Sequence, residues 1–112
     1  MKKITLALAV ILLAAACSKK LSPPSQTDVD RGAKKFPGYT LAELNEGKSI
    51  YEANCNTCHD LKNPRSFSET EWNKLVPDMV TKVNHKAKQE VLSQDKQQLI
   101  LKYVLTMGPL SK

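Results

Sequence analysis

Apolar residues divide this chain into one unbroken run, one stretch without pattern, and a series of segments with helical spacing. Ile4 to Ala16 is a 13-residue apolar run interrupted only by Thr5 and preceded by Lys2 and Lys3. It falls short of the roughly 20 residues that cross a bilayer and has the form of an export-signal core. From Ser18 to about Gly38 the pattern vanishes, and Pro23, Pro24, Pro37, Lys19, Lys20, Lys34 and Lys35 give the composition of a flexible linker. About twenty such residues span roughly 25 Å on average and reach about 65 Å at most. Helical spacing then begins. Thr40-Leu41-Ala42-Glu43 has the form of a capping box, and Leu41, Leu44, Ile50 and Tyr51 recur at helical intervals up to Cys55. A second helix is expected over Glu69 to Val76, opened by Ser68, with Trp72 and Val76 on one face. Pro77 is expected to interrupt it, or to open a new helix carrying Met79, Val80 and Val83. Ser93 caps the last helix, whose face is Leu99, Ile100, Tyr103, Val104 and Met107, and Gly108-Pro109 stops it. The expected fold class is all-α, with no internal repeat. Residues 1–16 are expected to be the export signal, 17–38 an anchor and linker, and 39–112 the folded domain.

At 112 residues and 12.5 kDa the chain holds one domain at most. Its 41% apolar and 25% charged content excludes a wholly disordered or collagen-like chain. The net charge of +6 drops by two, to +4, when Lys2 and Lys3 leave with the signal. The remaining basic residues are scattered, without the basic stripe and stacking aromatics of a nucleic-acid binder. Six aromatic residues are a thin supply for a compact core.

The cysteines change the picture. Ala14-Ala15-Ala16-Cys17 resembles the lipobox of bacterial lipoproteins. That resemblance implies acylation of Cys17, which becomes the new N-terminus and anchors the chain in the cell envelope, facing the periplasm. The alternative is ordinary cleavage that leaves Cys17 a free thiol. Cys55-Asn56-Thr57-Cys58-His59 is the C-x-x-C-H pattern of covalent haem c attachment. Two thiols three positions apart can add to the two vinyl groups of one porphyrin, and the adjacent imidazole can ligate the iron. From average composition, a chance match in so short a chain is on the order of one in a thousand. Three other readings compete. A zinc site needs four ligands, commonly from two such pairs. A dithiol redox site follows a strand in a βαβ unit. A Cys55–Cys58 disulfide leaves His59 without a role.

Over residues 40–107 the chain resembles class I cytochromes c. Gly47-Lys48-Ser49-Ile50-Tyr51, running into Cys55-Asn56-Thr57-Cys58-His59, is similar to that family's first helix and haem motif. The resemblance implies a bundle of three to four helices around one haem, with Gly47 and Tyr51 packed on Ile100 and Tyr103 of the last helix. It implies His59 as the proximal iron ligand. Trp72 seven residues before Met79 is similar to a subset of short bacterial cytochromes in which that methionine faces the haem, so Met79 is the expected sixth ligand. Met107, His85 and an open position are the alternatives. Pro64 matches the family's proline whose carbonyl orients the proximal imidazole, or is a plain loop proline. Trp72 is expected at a haem edge or propionate, or in the core. Lys62, Lys82, Lys86 and Lys88 are expected either to steer an acidic partner or simply to be solvated. The implied activity is electron transfer between donor and acceptor proteins, by a monomer or loosely associated subunit, rather than enzymatic catalysis. The competing functions are a haem enzyme or gas sensor with an open iron position, and a haem subunit of a larger oxidoreductase. With so few aromatics, the haem-free chain is expected to be largely unfolded; a cooperative melt of a Cys55→Ser/Cys58→Ser variant would refute that.

Overall fold

A computed structural model describes residues 21–55 and 61–112. They form four α-helices: α1 (Gln26–Ala33), α2 (Leu41–Asn54), α3 (Glu69–Ala87) and α4 (Gln94–Met107). Short 3-10 turns follow at Pro64–Ser66 and Pro109–Ser111. There is no strand among the described residues, and the fold is all-helical as the spacing predicts.

The helix starts follow from local chemistry. The Thr40 hydroxyl accepts the Glu43 N–H at 3.1 Å and donates to the Glu43 carboxylate at 3.1 Å. Ser68 forms a full capping box: its hydroxyl accepts the Glu71 N–H at 3.2 Å, and the Glu71 carboxylate accepts the Ser68 N–H at 3.1 Å. Ser93 accepts the Lys96 N–H at 3.3 Å and opens α4. Each cap satisfies a donor that the first turn leaves without a partner.

Helix α4 is the hub, packing against α1, α2 and α3. Leu44, Tyr51, Trp72, Val76, Ile100, Tyr103, Val104 and Leu105 are buried in one core. Helix α2 meets α4 at Gly47. A Cβ there would lie 2.3 Å from the Leu99 carbonyl oxygen and 2.9 Å from Tyr103 Cβ. Glycine costs about 1 kcal/mol of helix propensity, and this close approach is the return. Next to it, the Tyr51 and Tyr103 rings lie 5.6 Å apart. The packing expected of Gly47 and Tyr51 against α4 is therefore present, with Leu99 and Tyr103 forming the closest surface and Ile100 buried in the same cluster.

Two expectations need correction. Helix α3 runs through Pro77 without a break. Proline removes the amide donor that would bond to residue 73, but Asn73 is exposed, where water can serve its carbonyl. Val76 and Val80, both buried, hold the helix on either side, and the Thr81 hydroxyl donates to the Pro77 carbonyl at 3.0 Å. The second correction concerns the linker. Part of the stretch expected to be flexible is α1, capped by a Ser25–Asp28 capping box and packed on α4. Val29 is 2% exposed and Gly32 is buried. The Arg31 guanidinium donates to the Asp28 carboxylate at 2.8 Å and to the Thr106 carbonyl at 2.9 Å. The packed body therefore begins before residue 39. The chain left between Cys17 and Ser25 reaches at most about 28 Å, less than half the maximum reach of the linker expected from the sequence.

Candidate haem-attachment site

Helix α2 delivers the first residue of the motif. Cys55 is its C-cap, with its N–H bonded to the Tyr51 carbonyl at 2.9 Å. Cys58 and His59 lie outside the described residues. The chain resumes at Leu61, half-buried against the core, and the Lys62 carbonyl accepts the Tyr51 hydroxyl at 2.5 Å. One tyrosine thus holds both flanks of the five-residue interval, by its backbone on one side and its phenol on the other.

Cys55 is 7% exposed and belongs to the apolar cluster. Burial pushes its thiol up to about 11, so at neutral pH it is uncharged. That environment suits a thioether, which is neutral and apolar. Among the described residues no group of three His, Cys, Asp or Glu side chains could hold a metal ion. The buried, uncharged sulfur of Cys55 is compatible with a thioether to haem.

Met79, Met107 and His85, the residues considered from the sequence as a sixth ligand, fall in different surroundings. Met79 sits on α3 between Val76 and Val80, half-buried and packed against the cluster that contains Cys55. Met107 ends α4, is also half-buried, and lines a cavity beside Tyr103 and Pro64. His85 is exposed on the last turn of α3. Lys62, Lys82, Lys86 and Lys88 are exposed, and Lys82 pairs with Asp78 at 3.0 Å.

Trp72 and Pro64 find each other. The indole N–H donates to the Pro64 carbonyl at 2.8 Å, with both residues buried. The tryptophan stacks edge-on against Phe67 at 5.0 Å and Tyr51 at 6.2 Å. Trp72 is a core residue among the described residues, with its polar atom satisfied by the chain itself. The Pro64 carbonyl considered for the proximal imidazole is engaged by the indole.

Sequence reasoning missed two residues that shape this part of the molecule. Asn84 closes the α3–α4 connection: its Oδ1 accepts the N–H groups of Val91 and Leu92 at 3.0 and 2.9 Å, and its amide donates to the Leu92 carbonyl at 3.0 Å. Nothing in its polar run marks it. Arg31 was hidden in the presumed linker, although Ser25-x-x-Asp28 ahead of Val29 is a legible helix start. No family model, curated protein or solved structure matches the chain. The reading of the site rests on its own residues.

Proposed function

We propose that the chain is a membrane-tethered monohaem cytochrome of class I type that carries single electrons between protein partners in the bacterial cell envelope. The observation that carries this reading is the Cys55-x-x-Cys58-His59 motif at the end of a helix locked onto α4 through Gly47. Cys55 and Cys58 would hold the porphyrin by thioether bonds, each S–H adding across a vinyl double bond. His59 and Met79 would ligate the iron. When bound, the haem supplies a one-electron couple whose potential is raised by His/Met ligation relative to two nitrogen ligands.

The chain's own residues supply position and dryness. Tyr51 is bonded to Cys55 on one side of the motif and to Lys62 on the other, so Cys55 is fixed at the end of α2. Leu61, Leu75, Met79 and Val83, partly buried against the core, offer apolar surface that a porphyrin face can cover. Membrane attachment is part of the proposal and comes from Lys2, Lys3, the Ile4–Ala16 run and Cys17. No helix among the described residues is long and apolar enough to cross a membrane.

The test is expression in a host with cytochrome-maturation machinery, followed by mass spectrometry and a reduced-minus-oxidised spectrum. One covalent haem and a low-spin spectrum with the red Fe–S(Met) charge-transfer band, unresponsive to CO, are expected. Met79→Ala should abolish that band. Protein without haem would overturn the whole reading, and ready CO binding by the native chain would replace the carrier with the open-site enzyme or sensor.

A further inference from the structure

A cavity of about 330 Å³ lies where the chain enters the folded body, bounded by Leu21, Asp28, Arg31, Arg65, Met107 and Ser111 among others. Two arginines line it. Arg31 is neutralised by Asp28, its partner at 2.8 Å. Arg65 has no carboxylate partner among the described residues; its Nε donates to the Ser111 hydroxyl at 3.1 Å, and its backbone N–H donates to Asn63 Oδ1 at 2.9 Å. The outer nitrogens of Arg65 and the Asn63 amide are left as donors, the pairing that an oxyanion of phosphate geometry accepts. The net charge of the lining is one positive.

Covalent geometry fixes where this cavity sits. Leu21 lines it and stands four residues after Cys17. Four residues extend no more than about 14 Å, so an acyl chain on Cys17 would hold Leu21 and the cavity that it lines close to the headgroup layer. We propose that this cavity is a membrane-facing site that takes the phosphate of an anionic phospholipid headgroup. The proposal rests on the reading of Cys17 as a lipid anchor. It adds an orientation: the end built from the two 3-10 turns faces the bilayer.

The experiment uses the haem-loaded mature chain carrying Cys17→Ser, which floats with vesicles only if its own surface binds them. Vesicles of phosphatidylcholine alone are compared with vesicles that also contain phosphatidylglycerol. Salt-sensitive flotation with the second and not the first is expected. Arg65→Gln should weaken it roughly fivefold, the effect of one cation near an anionic surface. Lys74→Gln, an equal loss of charge at an exposed position of α3, should change it much less. Equal flotation with both vesicle types, or equal losses for the two variants, would overturn the proposal. Displacement by inorganic phosphate that also binds the free protein without phosphatidylglycerol preference would reassign the cavity to a soluble anion. Radiolabelled palmitate on the wild-type chain reads the anchor separately, so its absence sinks the Cys17 reading whatever the vesicles show.

Discussion

Helix α4 carries two neighbours that are held in opposite ways. At α2 the contact is backbone against backbone: Gly47 lies under the Leu99 carbonyl, flanked by the Tyr51 and Tyr103 rings. At α1 the contact is made by side chains and polar groups. Gly32 faces Thr106 Oγ1 and the Tyr39 ring, and Arg31 reaches the Thr106 carbonyl. Three buried polar atoms at α1 and its surroundings, Arg31 Nε, Tyr39 Oη and Thr106 Oγ1, have no hydrogen-bond partner among the described residues. A buried polar atom without a partner costs about 1–3 kcal/mol. The difference teaches that α2 and α4 form the rigid joint on which the motif is mounted, whereas α1 is a latch, docked at a cost and able to open first.

The largest effect should come from filling the joint. In Gly47→Ala the new methyl meets a backbone oxygen at 2.3 Å, and backbone has nowhere to go. Overpacking of this kind costs about 1–3 kcal/mol, against which helix propensity returns about 1. With backbone on the receiving side the upper end of that range applies, so a net loss of about 2 kcal/mol of unfolding free energy, read as a lowered denaturant midpoint of the haem-loaded protein, is expected. An unchanged or raised midpoint would show that the joint is looser than described.

Gly32→Ala is the matched substitution at the latch. Its Cβ would meet Thr106 Oγ1 at 2.7 Å and Tyr39 Cδ2 at 3.2 Å, both side-chain atoms. About 1 kcal/mol is expected, confined to α1: amide exchange of Val29 and neighbours speeds up while the global midpoint stays put. If the global midpoint fell as far as in Gly47→Ala, the division between joint and latch would be wrong.

Thr106→Val tests the polar character of the latch with the opposite sign. Thr106 is 0% exposed, and its hydroxyl faces the Tyr39 phenol without a hydrogen bond of full geometry. Valine keeps the shape and removes the stranded oxygen, so α1 should be protected more strongly, by about 1 kcal/mol. Weaker protection would mean that the hydroxyl makes a bond, with the Tyr39 phenol as the nearest candidate.

The same contrast explains what could be read in advance. Thr40, Ser68 and Ser93 were legible because a cap is settled within four residues. Gly47 was legible because a glycine inside a helix demands a neighbour. Pro77 misled because its local cost is outweighed by Val76 and Val80, whose burial against the rest of the fold no local pattern reports. The latch was opaque for a similar reason: α1 has a single well-buried apolar side chain, Val29, and its decisive bond joins Arg31 to a residue 75 positions away. At the site, the Cys55–His59 spacing is written in the chain, whereas the pairing of Trp72 with Pro64 emerges only when two turns are folded together.

The smallest effect expected is a pH dependence of the latch alone. Burial raises the Asp28 carboxyl, but the Arg31 guanidinium and the Ser25 N–H and hydroxyl outweigh it and hold the group below its ordinary 3.8. A depressed carboxylate contributes stability above its unfolded value, and that contribution is lost as pH falls through the lower folded value. Helix α1 should therefore loosen below about pH 3.8, while the Gly47 contact holds, because Tyr51 and Tyr103, their phenols pushed further up by burial, stay neutral throughout that range. Amide exchange across the acid range, read at Val29 and at Leu44, measures the two separately. Asp28→Asn should flatten the α1 response and leave α2 unchanged; parallel loss of protection at both residues would mean that acid unfolds the protein as one unit and that α1 has no independent hold.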